Sequence, residues 1–180
     1  SPLYIPNYNV TVAINGAGFN MQTGEPGGVL VMGGTEYHSI DHHGFFGLLK
    51  NGQAVIGTMN EYNTIYKGQV QEAISGFGTI LVENGKIPEG LNDNELSDRA
   101  SRTAAGITKT GKVVFLVVDG RQEPVSCGGT MAEIAQMMLE AGCVHAINLD
   151  GGGSTTDVAR QPGDDELTVV SRPSDGFERS

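Results

Sequence analysis

Apolar residues along this chain come in short runs, broken by polar turns rich in glycine. Runs of that length bounded by turn residues predict strands. Strands are expected over 10–14, over 29–32 before a turn at Gly33-Gly34, and over 79–82 before Asn84-Gly85. Residues 45–49 and 53–56 flank Asn51-Gly52, a strong hairpin signal. The stretch 62–75 is mixed, with a helical turn expected over 70–74. Residues 87–98 are polar, carry Pro88 and Gly90, and read as a surface loop that could act as a lid. After Ser154 the chain runs through 155–159 and an acidic loop to a strand at 167–170.

One segment has a clear helical period. Met131, Ile134, Ala135, Met138 and Leu139 form a stripe within 130–141, and Ala141-Gly142 supplies the stop. This helix lies between apolar runs at 112–118 and 145–149, which predicts a β-α-β crossover with parallel strands. Asp119 and Asp150 then sit at carboxyl ends of parallel strands, on the sheet edge where ligands bind in open α/β sheets. The runs 103–108 and 112–118 flank Thr110-Gly111. An even-length loop there sets Arg102 directly opposite Asp119, with Cβ atoms about 5 Å apart. An odd-length loop breaks that pairing. The expected fold class is α/β (α+β): a mixed β-sheet with helices packed on it, hairpins, and one crossover, in a single domain spanning 1–180.

Candidate chemistry centres on residues 146–154, where an apolar run ends at an acid followed by Gly151, Gly152, Gly153 and Ser154. Three missing Cβ atoms free backbone N–H groups to turn toward one point and let a ligand approach. Asn148 and Asp150 are two apart, so on a strand they share a face. A carboxylate, an amide and a ring of N–H donors suit a polyhydroxylated or phosphorylated ligand. Asn15, at the end of the first strand, reads either as a turn former or as a ligand to substrate hydroxyls. An Arg102–Asp119 pair reads equally as a structural salt bridge or as part of a site.

Net charge is −10 with no Lys/Arg cluster, which disfavours nucleic acid and anionic membranes as partners. No apolar run approaches the ~18 residues of a membrane span. There is no initiator Met and no signal peptide, so the chain reads as trimmed. Gly is 27 of 180 residues, about twice the usual share. The glycines lie between apolar runs, which fits a turn-rich folded domain.

Residues 37–43 hold His38, Asp41, His42 and His43 and raise the question of a metal. Only His145 remains to complete a ligand set, and it starts a strand away from the glycine turn. The expectation is a polar loop and no cofactor; a divalent metal is not indicated. Cys127 and Cys143 flank the helix, whose ~18 Å length exceeds the Cα separation a disulfide spans. Both are expected to be free and to serve in packing, weakly favouring a reducing compartment.

With these residues in view, the chain resembles the phosphodiester glycosidase family. Ala13-Ile14-Asn15-Gly16, Arg102-Thr103-Ala104-Ala105-Gly106, Val118-Asp119-Gly120-Arg121 and Asn148-Leu149-Asp150-Gly151-Gly152-Gly153-Ser154 carry the likeness, with Arg172-Pro173-Ser174 and Glu178-Arg179 at its close. Ala17-Gly18 departs from the family's Gly-Phe. The family pattern also continues with one more strand after Glu178-Arg179, which this sequence does not show; a shortened end, a processed chain, or a second polypeptide or oligomer that supplies the strand would each explain that.

The resemblance implies hydrolysis of a sugar-1-phosphodiester such as an N-acetylglucosamine conjugate, with a sugar-phosphate or glycan-phosphate as substrate. It also favours export or the cell envelope, and an exopolysaccharide context in bacterial members. Catalytic roles fall to Asp150, Asp119 and Arg102. Substrate-binding roles fall to Asn15, Gly16, Thr103, Arg121, Asn148, Gly151, Gly152, Gly153 and Ser154. A metal-dependent phosphodiesterase and a non-catalytic carbohydrate- or phosphate-binding module are the alternatives.

Overall fold

The computed structural model describes residues 10–38, 44–75, 79–91, 98–163 and 166–176. Among the described residues twelve strands are formed: β1 (Val12–Ile14), β2 (Leu30–Met32), β3 (Thr35–His38), β4 (Phe45–Leu49), β5 (Ala54–Gly57), β6 (Val70–Ser75), β7 (Ile80–Val82), β8 (Arg102–Thr108), β9 (Val113–Val118), β10 (Cys143–Asn148), β11 (Asp157–Arg160) and β12 (Leu167–Val169). A short α1 (Met59–Glu61) continues through Tyr62–Tyr66 as a π-helical stretch, and α2 spans Met131–Glu140. The strands form three sheets, ordered β1-β11-β12, β7-β10-β8-β9 and β3-β2-β6-β4-β5.

Side-chain alternation explains the layering. Ala104 and Ala146 face α2 and join a core with Met131, Ile134, Ala135 and Met138. Their neighbours Ala105 and Ile147 face the other way and meet Phe46, Ile56 and Ile74 of the five-stranded sheet. Phe45, beside Phe46, points outward to a third core with Met59 and Tyr62. Two sheets are therefore stacked face to face, with α2 on one outer face and the α1 segment on the other. The α2 boundary is chemical: Thr130 caps Glu133 N–H while the Glu133 side chain accepts from Thr130 N–H. Truncating Met131, Ile134 or Met138 to Ala would cost about 2–5 kcal/mol each.

Several expectations are corrected. The sheets are not mixed, because every strand pairing among the described residues is antiparallel, and strand far outweighs helix. The crossover does make β9 and β10 run in the same direction, but β8 lies between them. Residues 70–74 are not helical: they lie in β6, paired on both sides by β2 and β4.

The β8–β9 register is one residue from that expected, so Arg102 faces Val118 and not Asp119. The cause is an odd loop. Thr108 N–H bonds Lys112 O at 2.9 Å across three residues, with Gly111 at φ +82. Residues 87–91 and 98 of the long loop are described, and Leu91 is buried in the α2 core. Both cysteines are free; Cys143 is buried, but Cys127 is exposed and so is not a packing residue.

The expected features at Asp41, His42, His43, Glu178 and Arg179 lie outside the described residues. His38 sits in β3 with ring Nδ1 3.1 Å from Gly28 O.

Candidate active site

The chain leaves the four-stranded sheet at Leu149, whose N–H still bonds Thr103 O at 2.8 Å. Asp150 follows and is held by its backbone on both sides. Its N–H donates to Gly16 O at 3.2 Å, and its carbonyl accepts from Asn15 Nδ2 at 2.8 Å. Asn15 Oδ1 accepts in turn from Thr103 Oγ1 at 2.6 Å and Thr156 N–H at 3.1 Å. One amide thus ties the first loop, β8 and the segment after the glycine turn to the residue that carries the carboxylate. Asp150 Oδ1 accepts from Gly151 N–H at 3.0 Å, which aims the side chain over the turn.

Gly152–Ser154 form a single 3₁₀ turn. A Cβ on Gly151 would stand 2.8 Å from Ser101 O, and one on Gly153 would collide with the Asp175 carboxylate. Close approach of neighbouring chain therefore explains those two glycines. The expected ring of free donors is smaller than the sequence suggests. Gly151 N–H is taken by Asp150, Gly152 N–H by Ser101 O at 2.9 Å, and Ser154 N–H by Gly151 O at 3.3 Å.

Two arginine side chains lie against this turn, Arg102 with its Cδ 3.9 Å from where a Cβ on Gly151 would stand, and Arg121 with its guanidinium. Arg102 is buried, and it donates from Nε to Gly129 O at 3.1 Å and from Nη2 to Asp98 O at 2.5 Å. Burial pulls its pKa below the usual arginine value, the charge of Arg121 pulls it further, and Asp98 opposes both. Arg121 is exposed and held at φ +58, a conformation costly for a side chain of that size. Its Nη1 lies 3.6 Å from where a Cβ on Gly152 would stand. Arg121 makes no ion pair among the described residues. Two like charges held together beside a carboxylate-bearing turn form a setting for an anion.

Asp119 enters from elsewhere than the expected pairing. Its Oδ1 accepts from Arg172 N–H at 2.8 Å, and its carbonyl from Ser126 Oγ at 2.5 Å. The closing segment, 171–176, is thereby drawn against the site, and Gln122 Nε2 fastens it by donating to Arg172 O at 2.7 Å and Pro173 O at 3.1 Å. An open cavity of about 480 Å³ is lined by Gln122, Ser171, Arg172, Pro173, Ser174 and Gly176. Asn148 is buried, with Nδ2 donating to Leu149 O at 2.6 Å.

Sequence reading missed Asp157 and Asp175, and no local pattern marks either one. Five buried side-chain atoms lack a partner among the described residues: Asn148 Oδ1, Thr155 Oγ1, Asp157 Oδ1, Arg160 Nε and Ser174 Oγ. All lie between the end of β10 and the closing segment. Buried polar atoms are nearly always bonded, so this concentration fits a region built around a polar ligand or water. No group of three or more His, Cys, Asp or Glu among the described residues is arranged to hold a metal. No described helix is long and apolar enough to cross a membrane.

Comparison with known proteins places this geometry in context. A family profile described as phosphodiester glycosidase matches residues 8–180. The Bos taurus protein named N-acetylglucosamine-1-phosphodiester alpha-N-acetylglucosaminidase is 33% identical over 92% of this chain, and the Homo sapiens protein of that name is 30% identical over 91%. This chain spans 33% of the length of each. The catalytic domain of the zebrafish protein of the same name, auto-inhibited by its pro-peptide, superposes with a TM-score of 0.73. That match has 27% identity and covers 91% of this chain and 56% of the zebrafish chain. A hypothetical protein from Synechocystis shares the fold at 15% identity and a TM-score of 0.65. With the profile running over nearly the whole sequence and the fold shared with a solved catalytic domain, the chain belongs to the phosphodiester glycosidase family.

Proposed function

We propose that this domain hydrolyses a sugar-1-phosphodiester, an N-acetylglucosamine conjugate by analogy with its named relatives, at the bond between the anomeric carbon and oxygen. The observation that carries the reading is the convergence of Arg102 and Arg121 on the Asp150–Gly152 turn. Arg121, exposed and without an ion pair among the described residues, is the guanidinium that meets the phosphodiester. Arg102 stands behind it, fixed by two carbonyls, and adds positive field. Asp150 is the carboxylate nearest the reacting carbon, as nucleophile or base, and Asp119 is its partner. The departing phosphate takes the bonding electrons to its oxygen, and its charge is met by the arginines. Phosphate leaves readily, so strong general-acid help is less needed than for an ordinary glycoside.

The test is hydrolysis of a GlcNAc-1-phosphodiester in ¹⁸O-labelled water with products read by mass spectrometry. Label belongs at the anomeric hydroxyl, after correction for spontaneous exchange. Label in the phosphate means attack at phosphorus and overturns the glycosidase reading in favour of a phosphodiesterase. No turnover at all points to a binding module.

Asn15 separates binding from positioning. Its amide is spent on Asp150, Thr103 and Thr156. Asn15→Ala should therefore lower kcat much more than it raises KM. It should also cost about 2–3 kcal/mol of stability in urea unfolding, because partly buried partners lose their bonds. A rise in KM at unchanged kcat and stability would return Asn15 to a sugar-binding role.

A further inference from the structure

The closing segment lies as a strap across the chain ends that meet at the glycine turn. Ser171 Oγ accepts from Asp157 N–H at 2.7 Å, Arg172 N–H donates to Asp119 Oδ1 at 2.8 Å, and Gln122 Nε2 holds the carbonyls of Arg172 and Pro173. Past these anchors the strap turns back on itself. Gly176 N–H donates to Pro173 O at 3.0 Å, with Gly176 at φ +79, which closes a turn with Ser174 and Asp175 at its middle positions. That turn lays the Asp175 carboxylate on the glycines. Both its oxygens crowd the place where a Cβ on Gly153 would stand. The Arg121 guanidinium holds the corresponding place one residue earlier, with Nη1 3.6 Å from the Cβ position of Gly152.

An acid set beside an arginine on one turn imposes a condition on the ligand. A phosphodiester carries a single negative charge, whereas a phosphomonoester carries about two at neutral pH. The arginines attract both. The carboxylate repels both, and repels the more highly charged ligand more. Penalising the rival in this way is a common source of specificity.

We infer that Asp175 is a specificity-determining residue that restricts this site to phosphodiesters by repelling the second negative charge of a phosphomonoester. This role rests on the glycosidase reading above, which puts the phosphate at this turn. Cleavage at the anomeric carbon turns a monoanionic diester into free sugar and a dianionic monoester. The charge that Asp175 tolerates in the substrate is therefore doubled in the product, at the same place, and the carboxylate helps to expel it. The bare face of Gly153 belongs to the same device, since a side chain there would displace the carboxylate.

The probes are two analogues of a GlcNAc phosphate in which carbon replaces the anomeric oxygen, so that neither is cleaved. One is the methylene phosphonate, doubly charged at mildly alkaline pH; the other is its methyl ester, singly charged. Calorimetric titration gives the Kd of each, and the wild-type chain should bind the ester more tightly. Asp175 is exposed, so solvent screens its repulsion. In Asp175→Asn the phosphonate should still gain about tenfold in affinity and the ester much less. A thermal melt of the same preparation checks the fold, and Asp175→Ser carries the comparison if Asp175→Asn does not fold. A wild-type chain that binds the phosphonate as tightly as the ester overturns the role without any variant. So does a ratio of Kd values that the substitution leaves unchanged; equal weakening of both ligands would make Asp175 a structural part of the strap. In turnover of a GlcNAc-1-phosphodiester, the phosphomonoester product should inhibit Asp175→Asn more strongly than wild type, and equal inhibition removes Asp175 from product release. If neither analogue binds and the diester is not turned over, the glycosidase reading itself fails and this role with it.

Discussion

Asp150→Asn should abolish turnover and leave the melting temperature where it is. The substitution keeps the shape of the side chain and an oxygen able to accept from Gly151 N–H. The backbone bonds of Asp150, to Gly16 and from Asn15, do not involve the carboxylate at all. What is lost is the negative charge and the lone pair that would meet the anomeric carbon. Removing such a group typically costs ~10²-fold or more in kcat. The measurement is kcat on a GlcNAc-1-phosphodiester beside a thermal melt of the same preparation. Retention of more than about a tenth of wild-type kcat would show that the reacting carboxylate is another one, with Asp119 next in line. A lost melt with lost activity would instead mark Asp150 as a structural residue.

What could be read from the sequence was whatever a local pattern encodes. The helix α2 carried both its apolar stripe and its capping residues Thr130 and Glu133, so its ends and its buried face were legible together. The glycine turn was legible because three successive glycines after an acid exceed what an ordinary turn needs. The strand β6 was not legible, and the reason is specific. Val70, Ala73 and Ile74 are spaced i, i+3, i+4, which is a helical signature. A bulge opposite Leu48 and Leu49 shifts the phase of β6, so Val70 and Ala73 reach the same core despite their odd separation. The pairing of Arg102 hinged on one loop residue, and a three-residue turn reversed it. Asp157 and Asp175 lay beyond local reading altogether. Each gains meaning only from chain packed against it, Asp157 from the strap at Ser171 and Asp175 from the bare face of Gly153. The pairing of Arg102 with Arg121 was hidden for the same reason, since it arises where two separate segments cross.

That crossing makes Gly120→Ala a severely damaging single methyl. Gly120 sits between Asp119 and Arg121, and a Cβ there would stand 2.5 Å from Ser101 N, 2.7 Å from Ala100 C and 2.8 Å from Gly128 Cα. All three are backbone atoms, so no side chain can rotate away. The segments are also strapped to one another, with Gly129 N–H donating to Ala100 O at 3.0 Å and Ser101 Oγ to Gly120 O at 3.2 Å. Relief requires moving main chain, and forced overpacking of this kind costs about 3 kcal/mol or more. Gly16→Ala is the control. It lies in the same site, and its nearest new contact is an ordinary 3.7 Å to Ile74 Cδ1, so it should cost less than about 1 kcal/mol. Urea unfolding at constant m-value compares the two. A Gly120→Ala midpoint equal to that of wild type would mean that the 100–101 and 119–121 segments separate easily. The bare glycine between an acid and an arginine would then need another explanation. If the midpoint falls as expected, the acid–glycine–arginine spacing has a physical cause. The glycine lets the chain press against Ser101, and that contact sets Arg121 beside Arg102 at the mouth of the glycine turn.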